Sequence, residues 1–268
     1  MQSHKHIVSY FDTLFKKICN HYNKYSFLCY SYLGDSMKEF LEKNFDFKKL
    51  LKSFLVIYLF FYRSIFSLIP MLLFGLDLKN ASNQIIGVIN LYIGLAFALL
   101  VIFIYYKNLV NEMKKFIKKF KSNFKIGLKS WSLGLAIMYV SNLILLIVFH
   151  SEGANNETAV QTLIKASPIA MGFYTCLIAP FVEEIVFRKT LKDFFKSKWL
   201  FVFISFLFFG CVHVLPMANN FLDLLYIVPY GAMGATFAYA YYKTDTVYTS
   251  VLFHIIHNSI LFFISILL

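Results

Sequence analysis

Of the 268 residues, 59% are hydrophobic and 19% aromatic, and the mean hydropathy of +0.64 lies outside the range of soluble domains. The formal charge of +12 rests on lysine, with Arg63 and Arg188 the only arginines, and the cations gather at the ends of apolar runs rather than along one face. That pattern excludes a nucleic-acid-binding role and fits positive-inside determinants and contacts with anionic lipid.

Residues 1–52 alternate aromatics with lysines such as Lys16, Lys17 and Lys38, and lack the early apolar core of a signal peptide. They are predicted to form an amphipathic helical segment at the cytoplasmic interface. Residues 53–268 are predicted to form the membrane bundle. Its uncharged runs place about seven spans near Phe54–Gly75, Ile85–Tyr106, Trp131–Phe149, Pro168–Phe187, Trp199–Leu215, Phe221–Tyr242 and Val247–Leu268. The fold class is therefore all-α, a polytopic membrane helical bundle of about seven transmembrane helices.

The connections set the orientation. Lys107–Lys129 is lysine-rich with a single acid and Arg188–Lys198 is also basic, so both read as cytoplasmic loops. Leu76–Gln84 and His150–Lys165 are poor in cations and fall on the far side. The chain thus reads as a multi-pass cell-membrane protein with its N-terminus cytoplasmic and its C-terminus external. Ser167–Pro168 reads as an N-cap with proline at the first helical position, and Asp245 or Thr246 as the cap of the last helix. Gly231/Ala235 and Gly234/Ala238 are small pairs that let another helix approach closely. Cys19, Cys29, Cys176 and Cys211 have no metal-site spacing and read as structural thiols.

Strongly polar side chains inside a span cost at least about 2.5 kcal/mol when charged and central, so those present carry the most information. They are Arg63, Glu183, Glu184, Arg188, His213, His254, His257 and Asn258, with Asn90 and Asn142 as milder cases. Glu184 and Arg188 share a helix row at four-residue spacing and are expected to pair. Glu183 lies about 100° around the helix, without a local cation, which suits a general base. Pro180 removes the donor for the carbonyl of Cys176 and loosens the helix just before the acids. The plainer reading is that two acids merely mark a helix end. His213 follows Phe209 by one turn in an apolar helix, where a lone histidine is more often a packing residue. His254 and Asn258 share a face, and His257 lies about 60° from His254. No HExxH, GxGD or serine-nucleophile motif is present.

The ordered set Glu183-Glu184-xxx-Arg188, Phe209-xxx-His213 and His254-xxx-Asn258 resembles the CAAX-protease and bacteriocin-processing (Abi) family of membrane peptidases, which includes the type II CAAX prenyl endopeptidases. The resemblance covers roughly residues 165–268 and implies a peptidase core within 131–268. It implies an intramembrane endopeptidase in which Glu183 and His213 bind and deprotonate water. His254 and Asn258 would steady the oxyanion, and Glu184, Arg188 and Phe209 would support the site. The expected substrate is a membrane-associated peptide or protein, in peptide or bacteriocin maturation or self-immunity rather than prenyl-CAAX processing. No tightly held metal is expected; if zinc binds, Glu183, His213 and His254 are its expected ligands. A scaffold or ion-coupled transporter is the reading from another class. The polar cavity among the late helices is expected to open toward the cytoplasm.

Overall fold

The computed structural model describes residues 37–150 and 153–267, in which every regular element is helical. Residues 1–36, the greater part of the expected interfacial segment together with Cys19 and Cys29, lie outside the described residues. The elements are α1 (Phe47–Phe61), α2 (Leu68–Phe74), α3 (Asn83–Lys118), α4 (Phe120–Phe149), α5 (Asn155–Ala166), α6 (Pro168–Phe194), α7 (Lys198–Val214), α8 (Ile227–Thr244) and α9 (Val247–Leu267). Helix α1 runs through the boundary expected after residue 52.

Among the described residues, five helices are long and apolar enough to cross a membrane: α3, α4, α6, α7 and α9. The count rises to six if α1 and the following Arg63–Phe74 stretch form one broken span, against the seven expected. The expected span Phe54–Gly75 bends by 52° at a 3-10 turn over Arg63–Ser67. Pro70 accounts for part of this break, because it leaves the carbonyl of Phe66 without a helical donor. Arg63 Nη1 donates to the carbonyl of Phe60 (2.7 Å) at the bend. The segment expected at Phe221–Tyr242 starts with a 3-10 turn, and its helix α8 begins only at Ile227. Helix α8 is largely buried, so it packs within the bundle without meeting that apolarity test.

Parts of the expected loops are helical. The lysine-rich stretch after Tyr106 continues α3 to Lys118, breaks at Lys119 and resumes as α4 from Phe120. At 36 residues, α3 is about 54 Å long. It outruns a hydrocarbon core of about 30 Å, and its last turns set lysines beside an apolar face of Leu109, Met113 and Phe116. Within His150–Lys165, residues from Asn155 onward form α5.

The two ends of the bundle are built differently. At the lysine-rich end, Lys115 of α3 and Lys192 of α6 both reach Asp245 in the α8–α9 turn, at 2.6 and 2.7 Å. Burial pushes the Asp245 carboxyl up, but hydrogen bonds from the two lysines and their charges outweigh it, leaving it below the ordinary value. Of the two residues expected to cap α9, Thr246 directly precedes the helix, while the Asp245 carboxylate serves the two lysines. The first amide of α9, Val247 N, donates instead to Glu112 Oε2 of α3 (2.7 Å), and Thr246 Oγ1 donates to the Glu112 carbonyl (3.0 Å). Glu112 also accepts from the Tyr241 hydroxyl (3.1 Å) and lies 3.3 Å from Lys189 Nζ, which pairs with Asp193 at 2.8 Å. At the opposite end the start of α3 meets the start of α6, where any side chain on Gly87 would strike Ser167. The largest apolar cluster includes Tyr105, Phe187, Phe201, Tyr241 and Val247, all essentially buried.

Candidate functional site

Helix α6 carries both acids, and its backbone is irregular on either side of them. Tyr174–Ile178 and Ile185–Lys189 are π-helical turns, with the α-helical stretch Ala179–Glu184 between. The first turn precedes Pro180, where the sequence anticipated a loosened helix; the Ala179 amide reaches back to the Tyr174 carbonyl. Such turns recur where a helix presents functional side chains. Helix α6 continues past Arg188 as far as Phe194, through much of the stretch read as a cytoplasmic loop.

Glu184 and Arg188 pair as expected, with Oε1 and Nη1 3.1 Å apart and both side chains fully buried. The pair is an ion contact rather than a hydrogen bond. Nε, Nη1 and Nη2 of Arg188 and Oε2 of Glu184 have no hydrogen-bond partner. The guanidinium faces aromatic rings instead, 4.2 Å from the Phe209 ring centre and 5.7 Å from that of Phe237. Gly234 of α8 makes this packing possible, since a side chain there would strike the carbonyl of Ser205 and Cβ of Phe209.

The histidines come from α7 and α9. His213 Nδ1 lies 2.8 Å from the Phe209 carbonyl and His254 Nδ1 2.9 Å from Glu184 Oε1. Both partners only accept, so each Nδ1 carries a proton, and each Nε2 is left to accept in the neutral ring or donate in the protonated one. Both Nε2 atoms lie 3.8 Å from one oxygen, Glu183 Oε2. Glu183 and His213 remain 17% exposed, whereas the Glu184 side chain is sealed. Adjacent glutamates thus meet two environments, one accessible and one dry.

Six of the residues singled out from sequence are brought together: Glu183, Glu184, Arg188, Phe209, His213 and His254. Asn258 sits one turn along α9 and donates to the Thr175 carbonyl (2.9 Å) in the first π turn, so it braces α6 beside the site. His257 is buried on the same helix. His254 bridges the two acids, one ring nitrogen to each. Sequence reading also missed Tyr230, whose ring stacks on His213 (5.0 Å between centres, 17° between planes) and whose hydroxyl accepts from Asn156 Nδ2 (3.3 Å). Tyrosine in an apolar helix gives no signal of such a partner.

Beside Phe181 on the lysine-rich side lies a groove of about 400 Å³ lined also by Met113, Lys114 and Tyr248, and none of the clustered polar residues forms part of its wall. The apolar cluster around Phe187, Tyr105 and Tyr241 fills that side of the acids. The zinc set of Glu183, His213 and His254 converges but does not fit as it stands. Metal–ligand lengths of about 2.0–2.1 Å require tetrahedral donors about 3.3–3.4 Å apart, shorter than the 3.8 Å here. Among the described residues, no group of three or more His, Cys, Asp or Glu is arranged to hold a metal ion.

Residues 165–260 match the family model described as "Type II CAAX prenyl endopeptidase Rce1-like". The Bacillus subtilis (strain 168) protein named "Putative membrane peptidase YdiL" is 32% identical over 109 residues, which are 40% of this chain and 41% of that protein. A Mycoplasma capricolum subsp. capricolum protein is 27% identical over 184 residues, 63% of this chain and 53% of that protein. The alignments therefore span only about half the length of these relatives. No solved structure matches. The matched segment contains all three motifs and the whole Glu183 cluster, and over it the chain is similar to the type II CAAX prenyl endopeptidase family.

Proposed function

We propose that this chain is an intramembrane endopeptidase that hydrolyses a peptide bond in a membrane-associated peptide or protein, with Glu183 as the base that activates water. The observation that carries this reading is the convergence of His213 Nε2 and His254 Nε2 on Glu183 Oε2, each at 3.8 Å. That separation is too long for a direct hydrogen bond and suits a shared water molecule.

In the proposed step, Glu183 takes a proton from water as its oxygen attacks the scissile carbonyl carbon. The same carboxyl then returns the proton to the departing nitrogen as the C–N bond breaks, leaving an acid and an amine. His213 orients the water through Nε2. Glu183, Glu184 and Arg188 together carry one net negative charge in a poorly solvated place. One added proton neutralises the cluster. Residing on His254 Nε2, with Glu184 holding Nδ1–H, it makes that ring a donor to the tetrahedral oxyanion. Asn258 then serves through its contact with Thr175, which sets the path of α6 ahead of the acids.

The natural substrate is proposed from the membrane setting alone, as a peptide or protein tail held at the bilayer. Glu183→Gln keeps the shape of the side chain but not its basicity, so turnover should fall by roughly two to four powers of ten. The measurement is the appearance of new peptide termini in membranes carrying the wild-type or substituted chain. Equal sets of termini would remove Glu183 from the chemistry.

A further inference from the structure

The Glu183 cluster has unlike surroundings toward the two ends of the bundle. Toward the lysine-rich end it is bounded by the buried side chains of Phe187, Tyr105, Tyr241 and Val247, with the Glu112–Lys189 ion pair beyond, and the groove of about 400 Å³ beside Phe181, Met113 and Tyr248 includes none of its residues. Toward the other end lies a cavity of about 10 Å³, room for about one water molecule. His213 forms part of its wall, together with Asn155, Asn156, Val214, Met217 and Tyr226. The roof is the start of α5, fastened by three hydrogen bonds. Asn155 Nδ2 donates to the Met217 carbonyl (2.9 Å) and to Asp223 Oδ2 (3.1 Å), and Asn156 Nδ2 to the Tyr230 hydroxyl (3.3 Å).

We propose that the substrate reaches Glu183 from the lysine-poor end, through a mouth that opens when the start of α5 lifts from the 215–226 connection. This rests on the peptidase reading and adds a substrate class: peptide segments presented at the lysine-poor face, which positive-inside reasoning makes the external one. A one-water cavity cannot pass a peptide, so α5 must move. Its attachments suit that movement. The fastenings are exposed or half-buried side-chain bonds, with only Ala154 packed against the small Leu145–Val214–Tyr226 cluster. Gly153, at φ +124°, supplies a joint ahead of α5, and Ser167–Pro168 interrupts the helix after it. The amide groups of Asn155 and Asn156 and the Met217 carbonyl, freed by lifting, are groups that bind peptide backbone.

The test reads the route whether or not the chain cleaves anything. In a chain with Cys19, Cys29, Cys176 and Cys211 replaced by alanine, His213→Cys is exposed to a charged, membrane-impermeant thiol reagent. The reagent is added to spheroplasts and, separately, to inside-out vesicles. Asn219→Cys and Lys121→Cys report which side is which, and Val214→Cys, in the same cavity wall, replaces His213→Cys if that variant does not fold. Labelling should be an order of magnitude faster from the side that labels Asn219→Cys. Joining Asn155→Cys to Asp223→Cys with a short bifunctional thiol reagent before labelling should abolish it. Labelling from the side of Lys121→Cys would overturn the proposal. So would labelling only by a lipid-soluble reagent, which would mean lateral entry from the bilayer, or labelling that persists after cross-linking.

Discussion

Arg188 and Lys189 are neighbours on α6, both buried and each close to a glutamate, yet their surroundings differ in kind. Around Lys189 the polar groups are provided for: Asp193 takes the ammonium at 2.8 Å, and Glu112 accepts from Tyr241 and from the first amide of α9. Around Arg188 three guanidinium nitrogens and one oxygen of Glu184 have no hydrogen-bond partner. A buried network that is satisfied fixes one packing, while unsatisfied groups in a native structure need another explanation, among them a catalytic role. The first cluster ties α3, α6 and α9 together, and the second holds the candidate chemistry. Charge burial alone does not mark an active site; charge burial left incomplete marks it better.

Three substitutions would sharpen or break that contrast. The largest effect is expected from Glu184→Gln, which strands the Arg188 charge in a dry site and should cost about 3–5 kcal/mol of stability, read from melting in detergent. Removing the stranded charge with Glu184→Gln/Arg188→Gln should restore melting more than turnover per folded molecule. Recovery of both together would make the pair a structural element only. Glu112→Gln comes next. Its single amide oxygen can accept from only one of Tyr241 and Val247, and it loses the charge facing Lys189, which retains Asp193. The expected cost is about 1–3 kcal/mol, with turnover per folded molecule unchanged. A folded Glu112→Gln chain without turnover would join the two clusters into one machine. The smallest effect is expected at Asp245→Asn, because that side chain is 65% exposed and such pairs contribute about 0–1 kcal/mol. Its carboxyl is held below the ordinary value of about 3.9. Its contribution is therefore present above that pH and fades as pH falls through the lower folded value. A melting difference between wild type and Asp245→Asn that persists or grows below that window would show that the lysine contacts do not depend on the charge.

The sequence disclosed the late helices and the ordered motifs, because apolar runs and intramembrane charges are local signals. The Glu184–Arg188 pair followed from i,i+4 spacing, and the loosened turn from Pro180. The hidden parts are of two sorts. In the lysine-rich end of α3 the dense cations masked an apolar stripe at helical spacing (Leu109, Met113, Phe116), so it read as loop and Glu112 as an ordinary loop acid. The partners of that acid lie 129 and 135 residues away, at Tyr241 and Val247. His254 between the two acids, Tyr230 on His213 and the apolar packing around Phe187 likewise depend on how helices are set against each other, which periodicity within one helix does not encode.

The two π turns of α6 give it the character of a shaft with two phase shifts. Each inserts one residue relative to α-helical spacing, equivalent to about 100° of rotation and 1.5 Å of rise. The short stretch Ala179–Glu184 can therefore take its own heading, while the segments before and after it keep theirs toward α3 and the lysine-rich end. Point substitutions at the lipid-facing positions of α6 would leave that heading alone. Losing a single residue from Tyr174–Ile178 would not: the turn would relax to ordinary helix, and either the acids or the whole leading segment would have to swing away from their partners. In this helix the number of residues is held as tightly as their identity.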